Sequence, residues 1–202
     1  MNRYNDIKPY VLPPEQSDML QEAQIPIVYH DEMRDTKGKL RVLSLFSGCG
    51  GMDLGFEGMF IANRKSFPQD SLYIDHAINK NWVMLKKTKF KTVFANDILN
   101  EAEVAWTTYM SRFGYQPEMY HNISIVDLVK MHKQGADIFP KNIVVVTGGF
   151  PCQDFSVAGK RKGFNSDKDD YGKKREGDEP SEETRGKLYY WMKQVIDIVK
   201  PK

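Results

Sequence analysis

Cysteine is scarce in this chain: Cys49 and Cys152 are the only two among 202 residues. So few exclude a disulfide scaffold and leave each thiol needing its own explanation. No apolar run approaches the roughly 18 residues needed to cross a bilayer, and Met1-Asn2-Arg3-Tyr4-Asn5-Asp6 lacks an apolar signal region. The expectation is a soluble cytoplasmic protein with no membrane partner. Charge of one sign is lacking too, since 29 Lys and Arg stand against 27 Asp and Glu. That bias is too small to argue for a nucleic-acid partner by itself. The histidines, His30, His76, His121 and His132, share no metal-ligand spacing with the cysteines. This argues against a zinc site or a cysteine-protease dyad, and no metal is expected. There is no internal repeat and no low-complexity tract.

What is present reads as one ordinary domain with 41% hydrophobic residues, enough to bury a core. Residues 1–39, interrupted by Pro9, Pro13 and Pro14, read as an amino-terminal extension with one strand-like stretch at Ile25 to Tyr29. A first strand through Leu43 to Leu45 is followed by a short helix, Met52 to Met59. Ala62 to Lys91 reads as an irregular insertion carrying lysines at 86, 87, 89 and 91. Thr92 to Ala95 reads as a second strand, ending at Asn96-Asp97. Leu99 to about Phe113 is then a helix, with Ala102, Ala105, Trp106 and Tyr109 at helical spacing and Gly114 as its stop. A short strand near Tyr120, a helix from Ser124 to His132, a strand from Ile143 to Thr147 and a final helix from Gly186 to Val199 complete the pattern. Strand and helix alternate, which predicts an α/β fold with a doubly wound, mostly parallel sheet.

Two turns carry the chemistry. Leu43 to Phe46 run into Ser47-Gly48-Cys49-Gly50-Gly51, a glycine turn of the kind that lets a backbone approach a cofactor. A dinucleotide fingerprint requires glycine where Asp53 stands, and a carboxylate beside a pyrophosphate is unfavourable. A cofactor bearing adenosine and a methionine carboxylate suits the turn better, with Asp97 either holding ribose hydroxyls or capping the next helix. The second turn, Gly148-Gly149-Phe150-Pro151-Cys152-Gln153, places a thiol after an apolar strand. Such a thiol attacks as its thiolate, and neighbouring cations favour that form. Cys49 lacks this context and reads as a packing residue of the glycine turn. The basic clusters Lys160-Arg161-Lys162 and Lys173-Lys174-Arg175 are interleaved with acids and, from charge alone, read as a solvated loop.

Leu45-Phe46-Ser47-Gly48-Cys49-Gly50-Gly51-Met52-Asp53-Leu54-Gly55-Phe56, Gly149-Phe150-Pro151-Cys152-Gln153-Asp154-Phe155-Ser156-Val157-Ala158-Gly159-Lys160 and Thr184-Arg185-Gly186-Lys187-Leu188-Tyr189 together resemble the amino-terminal half of a DNA (cytosine-5) methyltransferase, over roughly residues 40–202. The resemblance implies a Rossmann-like fold, S-adenosylmethionine as cofactor and S-adenosylhomocysteine as product. It implies double-stranded DNA as partner and Cys152 as the nucleophile that adds to a flipped-out cytosine. It assigns the cofactor site to Phe46, Gly48, Cys49, Gly51, Asp97, Ile98, Asn122, Ile123, Pro151 and Leu188. It assigns DNA contacts to Gln153, Ser156, Lys160, Lys162 and Arg185, which replaces the reading of a merely solvated loop. Ser44 and Asn122 stand where many relatives carry aspartate, and the loop from Lys162 to Arg185 is longer than the family pattern. The family's later motifs and target-recognition domain are not seen. The expectation is therefore a fragment or a split subunit, inactive alone, whose missing carboxyl-terminal half is its partner, working in a restriction–modification system at the bacterial nucleoid. Two alternatives stay open: a catalytically silent S-adenosylmethionine-binding module and an RNA cytosine-5 methyltransferase.

Overall fold

Leu40–Leu45 forms strand β1, buried from Arg41 onward as expected for a strand covered on both faces. The computed structural model containing it describes residues 38–151 and 185–202. After β1 come helix α1 (Gly51–Glu57), three short strands β2 (Ile61–Asn63), β3 (Ile74–Ala77) and β4 (Trp82–Leu85), and the long strand β5 (Phe90–Asp97). Helix α2 (Asn100–Met110), strand β6 (Tyr120–Asn122), helix α3 (Ile125–Lys133), strand β7 (Val145–Gly148) and helix α4 (Leu188–Val199) follow.

The main sheet has the order β6-β5-β1-β7, with every pairing parallel. From β1 the chain steps outward through β5 to β6, then returns to the other side of β1 as β7. The order therefore reverses between β1 and β7, and a sheet of this kind opens its ligand crevice at the carboxyl end of that reversal. Helices cover both faces. Leu43, Leu45 and Phe94 share one core with Ile125, Leu128, Val129, Trp191 and Val195 of α3 and α4. Ala95 joins Ala102, Trp106, Met110, Tyr115 and Tyr120 in the other. Burying a side chain such as Leu43 contributes roughly 1.5–3 kcal/mol, so the two apolar faces, more than helix propensity, hold the layers together. The doubly wound expectation holds.

Local rules explain the helix ends. Ser124 accepts the Val126 N–H and caps α3, and Lys130, His132 and Lys133 crowd its last turn, where cations suit the helix dipole. Helix α2 tightens into a 3₁₀ turn at Ser111–Phe113 and stops at Gly114, whose φ of 78° only glycine adopts at little cost.

The stretch read as irregular, Ala62 to Lys91, is instead an antiparallel sheet of order β2-β4-β3, pairing Ile61 with Met84 and Ala77 with Val83. Asn79 Oδ1 accepts the N–H groups of Asn81 and Trp82 and turns β3 into β4. The Arg64 guanidinium donates to the carbonyls of Phe67, Pro68 and Gln69 and folds the loop before β3. Strands of three or four residues carry too little alternation to be read from sequence. Strand β5 is also longer than the expected Thr92 to Ala95.

Candidate cofactor and nucleophile turns

The carboxyl ends of β1, β5, β6 and β7 bring four turns to one edge of the sheet. After β1, the Ser47 N–H donates to the Asn96 carbonyl at 2.8 Å, and the Ser47 hydroxyl donates to the Ser44 carbonyl at 3.0 Å while accepting the Asn96 N–H at 3.1 Å. The Gly48 N–H then donates to Asp97 Oδ2 at 3.0 Å, and the Tyr120 hydroxyl donates to the Gly48 carbonyl at 3.1 Å. The glycine turn is thus gripped from β5 and β6. Asp97 also accepts the N–H groups of Ile98 and Leu99 on Oδ1, at 2.8 and 3.2 Å. These bonds close the turn ahead of α2 and do not cap the helix, whose N-cap is Leu99 with no side-chain bond; the same carboxylate reaches the glycine turn.

Asn96 ties β5 to the end of β6 by donating to the carbonyls of His121 and Ile123. Asn122 donates its amide N–H groups to Asn100 Oδ1 and Glu103 Oε2, which leaves its amide oxygen as an acceptor. Burial, followed by the nearby carboxylates of Asp97 and Glu103, pushes the Tyr120 phenol above its ordinary value, so it remains a donor to Gly48.

Across the crevice, Phe46 holds a positive φ of 52°, uncommon for a bulky residue, and meets Phe150 edge-on with ring centroids 6.4 Å apart. Phe150 in turn lies 6.5 Å from Tyr189 at the start of α4. Gly148 is closely overlaid by α4: a Cβ there would sit 2.7 Å from Met192 Sδ. Pro151 is half-buried after this turn. Leu188, at 2% exposure, lies within the core of α3 and α4.

The structure therefore brings Phe46, Gly48, Cys49, Gly51, Asp97, Ile98, Asn122, Ile123 and Pro151 to one edge. Cys152, Gln153, Ser156, Lys160 and Lys162 lie outside the described residues. Arg185 is described in its backbone alone, in a 3₁₀ turn before α4. The packing role expected of Cys49 is not what is found: the residue is exposed, because the turn between Gly48 and Gly50 carries it away from both cores.

Sequence reasoning missed the floor of the turn. Asp53, fully buried, accepts the Trp106 indole N–H on Oδ2 at 2.7 Å, while its Oδ1 has no hydrogen-bond partner among the described residues. One turn on, buried Glu57 accepts the Thr92 N–H at 2.5 Å and the Tyr115 hydroxyl. The available signal was the i, i+4 spacing of two acids on the inner face of a short helix. Burial raises the Asp53 carboxyl above its ordinary value, the nearby Ser44 hydroxyl and the Trp106 indole N–H oppose this, and the Glu57 carboxylate adds to it.

A raised native value means the folded state holds the proton more tightly, so stability declines as pH rises from the unfolded value of 3.8 through the folded one. Asp53→Asn keeps an acceptor for Trp106 and buries no charge. It is expected to match or exceed the native stability near pH 7, by on the order of 1 kcal/mol, with the difference vanishing near pH 4. Urea midpoints at both pH values check this; a less stable variant near neutrality would show that the network requires the anion.

The family model for C-5 cytosine-specific DNA methylases matches residues 40–173. This chain belongs to that family. Among curated proteins it is 35% identical to Type II methyltransferase M.BsuRI of Bacillus subtilis over 126 residues, 61% of this chain and 25% of the relative. It is 33% identical to Type II methyltransferase M.BspRI of Lysinibacillus sphaericus over 140 residues, 66% of this chain and 28% of the relative. It is 28% identical to Type II methyltransferase M1.ScrFI of Lactococcus lactis subsp. cremoris over 189 residues, 94% of this chain and 33% of the relative. The chain thus spans about a quarter to a third of the relatives it matches. Among the described residues no helix is long and apolar enough to cross a membrane.

Proposed function

We propose that this methylase domain binds S-adenosylmethionine at the carboxyl edge of its sheet and supplies the nucleophile for methylating carbon 5 of cytosine in double-stranded DNA, within a restriction–modification system. The observation that carries the cofactor site is the bond from the Gly48 N–H to Asp97 Oδ2, which joins the turns after β1 and β5 into one cradle. The cradle has room, since a Cβ added at Gly48, Gly51 or Gly149 meets no atom within 4 Å. Asp97 commits three of its carboxylate's roughly four acceptor sites to backbone amides, leaving one for a ribose hydroxyl. The free amide oxygen of Asn122 suits an adenine amino group; in this reading Phe46, Ile98 and Ile123 lie against the adenine and Pro151 closes the pocket, with Leu188, buried at 2% exposure, supporting that wall from the core. The buried carboxylate of Asp53 beneath the turn disfavours a pyrophosphate, as the sequence suggested.

Bound there, S-adenosylmethionine supplies an electrophilic methyl group. Cys152, next after Pro151, attacks carbon 6 of a cytosine flipped out of the duplex, and carbon 5 becomes enamine-like and able to take the methyl group. Loss of the carbon-5 proton then expels the thiolate. Gln153, Ser156, Lys160, Lys162 and Arg185 contact the DNA, the cations through phosphates. The activity is proposed for the assembled enzyme in which these residues act.

Titration calorimetry with S-adenosylmethionine tests the cradle. Asp97→Ala removes a charged acceptor and releases Gly48, so affinity is expected to fall about ten- to a hundred-fold. Unchanged affinity would place the cofactor elsewhere.

A further inference from the structure

A cleft of about 210 Å³ opens at the opposite, amino-terminal edge of the sheet, lined by Glu57, Met59, Lys87, Lys91, Arg112 and Tyr115 among others. Glu57 and Tyr115 also belong to the floor beneath the glycine turn, whereas Met59, Lys87, Lys91 and Arg112 have no part in the turns described above. Three cations converge on it from three elements. Lys87 comes from the link between β4 and β5, where it bridges to Gly58; Lys91 comes from β5; Arg112 comes from the 3₁₀ turn after α2. Lys91 Nζ sits 3.6 Å over the Tyr115 ring. The one carboxylate in the lining, Glu57, is turned into the floor and occupied by the Thr92 N–H and the Tyr115 hydroxyl. Lys86, Lys87, Lys89 and Arg112 are exposed, and the segment from Lys86 to Lys91 contains no acid. In a chain whose overall charge nearly balances, this is a local concentration of positive charge at a concave site.

We propose that this cleft binds the phosphodiester backbone of a nucleic acid, with Lys87 and Arg112 on phosphate oxygens, Lys91 over the buried Tyr115 ring adding to the positive field, and Met59 against the sugar. The choice of polyanion rests on the reading of this domain as a DNA methylase. The eight residues of β5 separate the two edges by about 26 Å. The cleft therefore engages a stretch of nucleic acid other than the base pair opened at the nucleophile turn, and it adds affinity without sequence preference.

The test measures binding of the full protein to a duplex of A·T pairs only, without S-adenosylmethionine, across a series of salt concentrations. Because no target cytosine and no cofactor are present, failure of the methylation reading leaves this measurement standing, and the reverse also holds. Lys87→Gln, Lys91→Gln and Arg112→Gln combined are expected to weaken binding at least ten-fold. They should also reduce the slope of log K against log salt by about 0.9 for each phosphate that is no longer neutralised. Lys87→Gln with Arg112→Gln, both exposed, gives a smaller loss of the same kind should the half-buried Lys91 matter for folding. Lys87→Arg is expected to bind as the native protein does. An unchanged slope and affinity in the charge-neutral variants overturns the proposal. Displacement of the duplex by inorganic phosphate at matched ionic strength overturns it in favour of a small-anion site. Polyglutamate binding with the same dependence on these residues overturns it in favour of an acidic protein.

Discussion

Replacing Cys152 with serine in the assembled enzyme is expected to lower methyl transfer by on the order of 10⁴-fold or more, with S-adenosylmethionine affinity within about two-fold of native. The asymmetry follows from where the chain puts this residue. The proposed cofactor site is built on the turns after β1, β5 and β6, which Asp97, Asn96 and Tyr120 hold together. Cys152 follows the turn after β7, whose position is set independently by close packing of Gly148 under Met192. Serine preserves shape, but its hydroxyl is a far weaker nucleophile than a thiolate and cannot add appreciably to carbon 6. The check is a methyl-transfer assay beside calorimetry, together with DNA carrying 5-fluorocytosine, which blocks release of the enzyme after methylation. The native enzyme is expected to form a stable adduct and the serine variant none. Joint loss of methylation and cofactor affinity would make Cys152 structural. Absence of an adduct in the native enzyme would favour a silent cofactor-binding module, and preference for transfer RNA over DNA would favour the RNA reading.

The parts of this fold legible in the sequence are those where one physical signal spans several turns or a whole strand. The apolar runs at β1 and β5 and the helical spacing of Ala102 and Trp106 announce a buried parallel sheet with covering helices. Gly114 marks its helix stop because a positive φ there singles out glycine. The small sheet from Ile61 to Leu85 is not legible, because its order comes from side-chain-to-backbone bonds of Asn79 and Arg64, which leave no periodic trace. At the cofactor edge, residue types name the chemistry, whereas the partners of each residue depend on strand order. Sequence leaves Asp97 open between ribose ligand and helix cap; in the fold its carboxylate does not cap α2 but ties Gly48, across the parallel pairing of β1 and β5, to the turn at Ile98 and Leu99. Asp53 reads in sequence only as an obstacle to a pyrophosphate. Its bond to Trp106 joins residues 53 positions apart and becomes visible only once α1 and α2 share a face of the sheet.

Gly50 and Gly51, adjacent and alike in the sequence, are expected to respond oppositely to alanine. Gly50 is buried at a φ of 87°, and a Cβ on it would stand 2.6 Å from Cδ1 of Trp106. Trp106 is fully buried and pinned by Asp53, so it has no room to yield. Overpacking of about 1–3 kcal/mol adds to a left-handed backbone penalty of roughly 1–2 kcal/mol. Gly50→Ala should therefore cost about 2–5 kcal/mol in all, seen as a lower unfolding midpoint, and should weaken cofactor binding by distorting the turn. Gly51 is exposed and opens α1, and a Cβ there meets no protein atom within 4 Å. Gly51→Ala should leave stability unchanged or raise it by up to about 1 kcal/mol through helix propensity. With no protein neighbour to disturb, any loss of S-adenosylmethionine affinity in Gly51→Ala reports a ligand lying against that backbone, and a loss of ten-fold or more is expected on the order of the 1.4 kcal/mol that such a clash implies. Native affinity in Gly51→Ala would move the cofactor away from the amino end of α1. Native stability in Gly50→Ala would mean that the Trp106 floor does not fix the turn.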